Sequence, residues 1–587
     1  MRTIKKRLTT LVLASALLAT SPATMMAQTR EVKLKIVQTT DIHGNYYPYD
    51  FIRRQEAEGS LARVHAFVEK KRELYGDNLI LLDNGDFLQG QPTAYYYNYI
   101  DTVSPHLGAE MMNFIRYDAG NLGNHDIETG RRVWERWMGD CQFPVLCANA
   151  IDTQTGEPAY QPYLILEREG VRIAVLGMIT PGIPAWLSED LWRGLRFDDM
   201  EQTARRWMPV LKEKERADLI IGLFHTGLQA YDLAGRYREN AAQEVAEHVP
   251  GFDIVLAGHD HAQAKKWVTN VAGDSVYVTN PANNGVLITN IDVTVTLEGD
   301  SVTGKRIKGV LSKTAGYGIS QPFVDHFAAG RQVIEDFVSK KIGTFRQTIS
   351  TRPAYFGSSA FVDLIHQLQL EISGAEISLA APLSFDTQIE AGDVYVSDMF
   401  NLYKYENMLY TMALTGQEVH DLLEMSYAQW TRQMTSAQDT LLLLRPVPRA
   451  GAKDRAMFQH ASYNFDSAAG IRYTVDVSQP AGQRVHIESM ADGTPFDPER
   501  TYRVAVNSYR GNGGGELLTR GAGIDPDRLS ERILSSTDKD LRYYLMQLIE
   551  RLGEVDPQPL NQWRLVPEAW VQEAAGRDYR TLFGEEE

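Results

Sequence analysis

The stretch VKLKIVQTTDIHG, residues 32–44, joins an apolar run to an Asp-x-His motif. Residues Val32 to Gln38 are typical of a buried parallel strand, and Asp41 and His43 follow directly after it. Loops at the carboxyl ends of such strands are where open α/β sheets bind ligands. The stretch therefore predicts a layered α/β domain with a polar site at one edge of its sheet.

Four further clusters of metal-ligand residues follow, and three of them also come after a strand-like run, at 78–82, 218–223 and 252–256. The seven candidate ligands are Asp41, His43, Asp86, Asn124, His225, His259 and His261. Two divalent ions about 3.5–4 Å apart need a bridging carboxylate, imidazoles and open positions for water and a phosphoryl oxygen. Each short motif alone is weak evidence, but the set predicts a hydrolase with two divalent ions such as Zn²⁺ or Mn²⁺.

The composition of the 587-residue chain is that of a globular protein, with 43% hydrophobic and 23% charged residues, at a length that predicts more than one domain. Its net charge of -17 argues against binding to nucleic-acid polymers, because such proteins need a basic face to release counterions from phosphates. A small anionic substrate must then be held locally, by metal. Cys141 and Cys147 are the only cysteines, so the fold does not depend on a disulfide framework.

Residues 1–27 have the layout of a secretory signal peptide, with a basic start, an apolar run over 8–19 and small residues near Ala27. The apolar run is too short to span a bilayer comfortably, since a spanning helix needs about 20 apolar residues. No later segment is apolar enough for a transmembrane helix. We therefore expect an exported protein, located in the periplasm.

The alternation of strand-like and amphipathic runs divides the rest of the chain. Residues 31–320 have the pattern of a layered α/β domain, which antiparallel strands over 269–310 would close. A linker over 321–345 is expected to contain one helix, Pro322 to Lys341. A second α/β domain is expected over 346–545, and a C-terminal extension over 546–587.

The five clusters together resemble the exported bimetal nucleotidases of the calcineurin-like phosphoesterase superfamily. This family comprises 5′-nucleotidases and 2′,3′-cyclic-nucleotide 2′-phosphodiesterase/3′-nucleotidases. The motifs that carry the resemblance are TDIHG (40–44), DNGDFLQG (83–90), GNHD (123–126), FHTG (224–227) and AGHDH (257–261). The resemblance implies a four-layered αββα metallophosphoesterase domain followed by an α/β 5′-nucleotidase-type C-terminal domain.

The same resemblance implies roles for the ligands, with Asp86 as the bridge between the two ions. One ion would be held by Asp41, His43, Asp86 and His261, and the other by Asp86, Asn124, His225 and His259. Water activated between the ions would attack phosphorus in line, and His125 would stabilise the phosphoryl oxygens or protonate the leaving oxygen.

Two carboxylates are candidates for orienting His125. Relatives usually carry an Asp three residues after this histidine, where the present chain has Glu128, and a second acid, Asp126, adjoins it. Either carboxylate could orient the imidazole. The alternative role for Asp126 is that of a helix N-cap or local turn acceptor.

Two C-terminal segments, YNFD (463–466) and NSYRGNGGG (507–515), resemble the family's nucleoside-binding segments. Phe465 and Tyr509 fall at the positions where two aromatic rings sandwich a base, a contact that tolerates any base. Asn512 and Gly513 lie in the glycine-rich loop, where the backbone would approach the ribose. The alternative is that both aromatic residues belong to a core.

Departures from the 5′-nucleotidase pattern favour the cyclic phosphodiesterase/3′-nucleotidase branch. Where many 5′-nucleotidases have Asn-Gly-Gly-x-x-Arg, residues 381–386 read APLSFD, and no Asp follows Gly515. We expect a nucleotide phosphohydrolase of that branch. The alternatives are a 5′-nucleotidase acting on nucleoside 5′-monophosphates or UDP-sugars, a phosphoesterase of non-nucleotide esters, and a binding protein without turnover, which would not need seven converging ligands.

Overall fold

Two α/β domains follow each other along the chain. The computed structural model describes residues 29–233, 235–447 and 455–584. The predicted signal peptide, 1–27, lies outside these ranges. Within them, every helix is too short or too polar to cross a membrane. Cys141 and Cys147 are both free thiols.

The first sheet of the N-terminal domain has four strands. Their order across the sheet is Ser301–Lys313, Leu287–Glu298, Thr29–Thr39 and Leu79–Asp83. The last two strands are parallel, with Thr39 opposite Asp83. Their carboxyl ends therefore lie side by side, and the loops that carry Asp41 and Asp86 leave the sheet together.

The second sheet has six strands. Their order is Gln263–Thr269, Ser275–Pro281, Ile254–Ala257, Leu219–His225, Val171–Ile179 and Tyr163–Arg168. The four central strands are parallel to one another. His225 is the last residue of one of them, and His259 follows the end of its neighbour.

The two sheets face each other across an aliphatic core that includes Ile36 and Ile80 from the first sheet and Val175 and Ile221 from the second. Helices cover both outer faces, so the layers are the predicted αββα. On the first sheet they are Leu61–Tyr75, Leu107–Ile115 and Arg131–Asp140, and on the second Met200–Pro209 and Ala242–His248. The polar site predicted at the edge of one sheet lies instead at an edge that two sheets share, because each sheet contributes ligand loops.

The predicted single connector helix is also wrong. Two helices, Gln321–His326 and Ala328–Val338, are separated at Phe327, which has φ −99° and ψ 16°. Phe327 is buried, and its carbonyl accepts a hydrogen bond from the hydroxyl of Tyr47 at 2.9 Å. The same carbonyl also accepts the backbone N–H of Arg331 at 3.1 Å, so the second helix starts its hydrogen-bond pattern at Phe327. The strand Lys341–Phe345 then begins the second domain.

A five-stranded sheet forms the centre of the C-terminal domain, in the order Ser467–Ala469, Ile377–Ala380, Thr501–Asn507, Met408–Thr415 and Ile533–Asp540. The helices packed around it are Ala360–Ser373, Val396–Leu402, Gly416–Trp430 and Leu541–Leu552. A smaller sheet adds Val485–Met490, Ile471–Asp476 and Trp563–Val566. The last helix, Glu568–Phe583, buries Val571 and Ala574 in the same core, so the described end of the chain packs on this domain.

Residues 92–100 of the first domain form one of the contacts between the domains. The Tyr95 side chain is buried against Phe400, with ring centroids 5.4 Å apart, and its hydroxyl donates to Asp540 Oδ2 at 3.1 Å. The hydroxyl of Tyr99 donates to Glu406 Oε2 at 3.2 Å. These contacts fix a cleft between the domains beside the edge where the ligand loops converge.

Candidate active site

The first group of candidate ligands contains Asp41, His43 and His261, whose ligand atoms all lie within 4.8 Å of one another. His43 Nε2 lies 3.0 Å from His261 Nε2, which in turn lies 3.2 Å from Asp41 Oδ1. Carboxylate oxygens and imidazole nitrogens at these separations form a donor set suited to a divalent transition metal ion.

The second group contains Asp86, His225 and His259 within the same 4.8 Å limit. His225 Nε2 lies 3.2 Å from Asp86 Oδ2 and 3.1 Å from Asn124 Oδ1. Asn124 Oδ1 also lies 2.8 Å from His259 Nδ1, which joins the amide to this group. All seven residues predicted as ligands from the sequence thus lie in two adjoining groups.

Asp86 connects the two groups. Its Oδ1 atom accepts the backbone N–H of His125 at 2.8 Å, while Oδ2 lies 4.0 Å from His43 Nε2 and 3.2 Å from His225 Nε2. This Oδ2 atom is buried and accepts no hydrogen bond from the described residues. An unsatisfied buried carboxylate oxygen is costly unless a cation compensates it. The residues present therefore fit a pair of divalent ions with Asp86 between them.

Backbone carbonyls determine which imidazole nitrogens point into the site. His225 Nδ1 lies 2.6 Å from Asn84 O, and His43 Nδ1 lies 3.2 Å from Gln89 O. Since a carbonyl only accepts, each Nδ1 carries the proton, and each Nε2 presents its lone pair to the other ligands. Hydrogen bonds of this kind to the outer nitrogen orient metal-binding histidines.

The ligand loops have strained backbones. Five candidate ligands lie in the left-handed region, namely Asp41 (φ 51°), His43 (φ 50°), Asp86 (φ 56°), His259 (φ 72°) and His261 (φ 53°). Residues other than glycine occupy this region only where their surroundings enforce it. Here the backbone N–H of Asp41 donates to Gly85 O at 2.8 Å and that of His43 to Asp86 O at 3.0 Å. The loops are thus held in place before any ligand binds.

His125 lies beside the first group, with its ring 5.4 Å from that of His43 in an edge-on arrangement. Its Nδ1 atom lies 2.5 Å from Glu128 Oε2. Burial lowers the pKa of His125, but the carboxylates of Asp86 and Glu128 outweigh it and raise the pKa to about 9. Glu128 therefore orients the imidazole and stabilises its charged form.

Asp126 does not reach His125, so its candidate role as an orienting acid is wrong. Its carboxylate accepts backbone N–H groups of the loop before it, from Asp86, Phe87, Leu88 and Gly123, at 2.8–3.0 Å. These donors take up both oxygens of a fully buried side chain. Asp126 is therefore an acceptor for backbone N–H groups, which is the alternative role that the sequence allowed for it. It holds the loop that carries Asp86.

A cavity of about 930 Å³ lies between the domains. From the first domain it is lined by Asn124, His125 and His259, and from the second by Tyr405, Tyr463 and Tyr509. The Tyr463 side chain is 37% exposed, and its ring lies edge-on to Tyr509 at 6.1 Å and to Tyr405 at 6.2 Å. The cavity therefore joins candidate metal ligands to a cluster of aromatic rings.

Phe465, predicted as one half of a base clamp, does not face this cavity. It is fully buried and stacks on Trp430, with ring centroids 5.4 Å apart and an interplanar angle of 3°. That prediction is wrong, because the short turn Ser462–Asn464 exposes Tyr463 and directs the next aromatic residue into the core. Tyr463 stands two residues earlier in the quoted YNFD motif. Tyr509 lines the cavity, where the sequence places it.

Asn512 and Gly513 were also predicted to contact substrate, and neither lies among the residues that line the cavity. Asn512 Nδ2 donates to the backbone oxygen of Trp186 at 3.3 Å and so links the second domain to the first. Gly513 has φ 102° and packs near Leu529. Gly515, further along the loop, does line the cavity.

Family models match both domains of the chain. Residues 34–263 match the calcineurin-like phosphoesterases, and residues 340–520 match the 5′-nucleotidase C-terminal domain. The matched segments contain all seven candidate ligands and both tyrosine-bearing loops.

Similar proteins include a 2′,3′-cyclic-nucleotide 2′-phosphodiesterase/3′-nucleotidase of Yersinia enterocolitica, which is 27% identical over 95% of this chain and 92% of the relative. The trifunctional nucleotide phosphoesterase protein YfkN of Bacillus subtilis is 28% identical over 92% of this chain, and the match spans 39% of that protein's length. The solved structure of a 5′-nucleotidase precursor from Thermus thermophilus matches 92% of this chain and all of its own, with a TM-score of 0.62 at 20% identity. This last likeness shows the fold alone.

Proposed function

The chain belongs to the calcineurin-like phosphoesterases that carry a 5′-nucleotidase C-terminal domain, and we propose that it hydrolyses phosphate esters of nucleotides with two divalent metal ions. The cavity supports this proposal most directly, since it connects Asn124 and His259 at the ligand groups to Tyr463 and Tyr509. A nucleotide has the two corresponding parts, a phosphate for the ligand end and a base for the aromatic end.

The metal ions would be held by the two groups that share Asp86. Asp41, His43, Asp86 and His261 would hold one ion, and Asp86, Asn124, His225 and His259 the other. When bound, such ions lower the pKa of water and neutralise charge on phosphoryl oxygens.

His125 would act on the phosphate from beside these groups. Because Glu128 holds Nδ1, Nε2 is the ring atom that can donate to a phosphoryl oxygen or deliver a proton to the leaving oxygen. Glu128 keeps the imidazole in this orientation and stabilises its positive charge. His125 and Glu128 thus form a histidine–carboxylate pair of the kind that transfers protons.

The base would contact the rings of Tyr463 and Tyr509, which lie edge-on to each other at the aromatic end of the cavity. Each aromatic contact with a base contributes roughly 1–3 kcal/mol and is insensitive to base identity. We therefore propose little discrimination among bases.

Within this class, the proposal favours 2′,3′-cyclic and 3′-nucleotides. The near full-length relative from Yersinia supports it, and so does the absence of an arginine from residues 381–386. Asp386 in that segment is engaged by Arg352 at 2.7 Å, outside the cavity lining. A 5′-nucleotidase is the second candidate, since the C-terminal domain match is named for that activity.

The test is hydrolysis of a matched panel by purified, metal-loaded protein. The panel contains the 2′,3′-cyclic, 3′- and 5′-phosphates of adenosine and uridine, a UDP-sugar and p-nitrophenyl phosphate. The proposal requires higher kcat/KM for nucleotides than for the aryl phosphate, and highest values for the cyclic or 3′ forms. Equal values for all esters would remove the nucleotide assignment, and a 5′ preference would move the protein to the other branch.

Export is also proposed, from the pattern of residues 1–27. Expression of the full chain with N-terminal sequencing of the product in a periplasmic extract tests it. Cleavage close to Ala27 is expected, and an intact cytoplasmic product would contradict it.

A further inference from the structure

His259 differs from the other candidate ligand histidines in the partner of its outer nitrogen. In His43 and His225 that nitrogen faces a backbone carbonyl, and in His261 it lies 3.1 Å from the side-chain amide of Asn283. In His259 the outer atom is Nε2, which lies 3.0 Å from Oε1 of Glu239. Glu239 belongs to none of the five sequence clusters, and it lines the wall of the same cavity.

Hydrogen bonds to the backbone of Glu239 keep this residue beside His259. The strand Tyr237–Asn240 carries it, and the Glu239 carbonyl accepts the hydroxyls of Thr180 at 2.9 Å and Thr226 at 2.6 Å. Thr226 directly follows the candidate ligand His225. The residue after Glu239, Asn240, accepts the backbone N–H of Gly227 at 3.0 Å. The position of Glu239 is thus fixed relative to the strand end that carries His225.

This contact determines the tautomer of His259. A carboxylate only accepts hydrogen bonds, so the proton of the neutral imidazole resides on Nε2. Nδ1 then presents its lone pair to Asn124 Oδ1, 2.8 Å away. In this neutral form the two acceptor atoms repel each other unless a bound cation compensates them. The Glu239 side chain is only 16% exposed, so solvent screens its charge weakly.

We infer that Glu239 is a positioning residue for the second ion: it fixes the ring and tautomer of His259 and adds negative charge that strengthens binding at His225, Asn124 and His259. The inference rests on the proposed two-metal function. It assigns Glu239 no contact with the reacting phosphate. It also predicts a difference between the two ions, since among the described residues the outer nitrogens of His43 and His261 in the first group face Gln89 O and Asn283 Nδ2 and not a carboxylate.

Metal binding to purified protein tests this directly. The apo protein is equilibrated with Mn²⁺ or Zn²⁺ alone, and bound metal is measured as a function of free metal concentration. Outer partners of metal-binding histidines typically contribute 10–100-fold to affinity. We expect Glu239→Ala to weaken one of two binding events by about this factor and to leave the other unchanged. Glu239→Gln should lose less, because its amide oxygen still accepts from Nε2 of His259.

The matched control is Asp232→Ala, which removes a carboxylate from the neighbouring strand of the same hairpin. Asp232 is 57% exposed, pairs with Arg238 at 3.1 Å and belongs to neither ligand group. Both binding events should be unchanged in this variant. Circular dichroism of the apo proteins checks that each variant is folded.

The outcomes separate the two proposals. Two ions in the wild type and unchanged binding in Glu239→Ala would overturn the role of Glu239 and leave the proposed function standing. Equal weakening of both ions in folded Glu239→Ala would also overturn it, because the effect would not be confined to His259. Fewer than two ions in the wild type would instead remove the two-metal function itself.

Discussion

The carboxylate of Glu128 lies 2.5 Å from Nδ1 of His125, three residues earlier on the same short helix, Asn124–Glu128. This helix begins at the candidate ligand Asn124, so the ligand, the histidine and its orienting acid are carried by one rigid turn. The position of His125 relative to Asn124 is therefore set by helix geometry. A change at Glu128 should alter the imidazole without moving Asn124.

His125→Ala is expected to lower kcat by about 10²–10⁴-fold, the usual contribution of a positioned acid or base. Metal content should stay at the wild-type value, because His125 is not among the candidate ligands. Steady-state kinetics and metal analysis of the same preparation check both statements. Loss of metal would mean that His125 is itself a ligand.

Glu128→Gln and Asp126→Asn separate the two neighbouring acids. Glu128→Gln should lower kcat with little change in Tm, since only the orientation and charge of the imidazole are affected. Asp126→Asn should lower the free energy of unfolding by about 1.5–3 kcal/mol or more, because backbone donors lose their charged acceptor. Thermal unfolding and kinetics on both variants measure this. Equal effects of the two substitutions on kcat, with no difference in Tm, would contradict the assignment.

The aromatic residues of the YNFD (463–466) and NSYRGNGGG (507–515) segments give opposite predictions. Tyr463→Ala and Tyr509→Ala should raise KM for nucleotides and leave hydrolysis of p-nitrophenyl phosphate nearly unchanged, because the rings would contact only the base. Phe465→Ala should instead lower stability by about 3–5 kcal/mol, since it leaves a cavity beside Trp430. Urea unfolding and substrate panels distinguish the two classes. If Phe465→Ala is stable and raises KM for nucleotides but not for p-nitrophenyl phosphate, Phe465 contacts the base as the sequence predicted.

The contrast between Phe465 and Tyr463 shows what the sequence can and cannot predict. Ligand types and the strands before them are local patterns, so the seven candidate ligands and a layered α/β domain could be predicted from them. The αββα order of the layers was implied by the family resemblance of the motifs. The direction of a side chain in a three-residue turn depends on the packing of distant residues, here Trp430, and has no local signal. Glu239 was missed for the same reason, since only the folded hairpin brings it to His259.

Tyr95 should limit movement between the domains. Its ring is buried against Phe400, and its hydroxyl donates to Asp540 at 3.1 Å, so Tyr95→Ala removes both contacts. We expect a broader distribution of interdomain distances in this variant, measured with paired spin labels, and a smaller effect in Tyr95→Phe, which keeps the ring. An identical distribution in the wild type and Tyr95→Ala would show that this contact does not hold the cleft.

The central claim is that Asp86 joins two metal ions, and the metal content of Asp86→Ala tests it most directly. Asp86 Oδ2 is the buried oxygen without a hydrogen-bond donor that lies between His43 and His225. Two ions per chain are expected in the wild type and fewer in the folded Asp86→Ala variant, which should also lose nucleotide hydrolysis. Full occupancy by two ions with near-normal turnover in Asp86→Ala would contradict it.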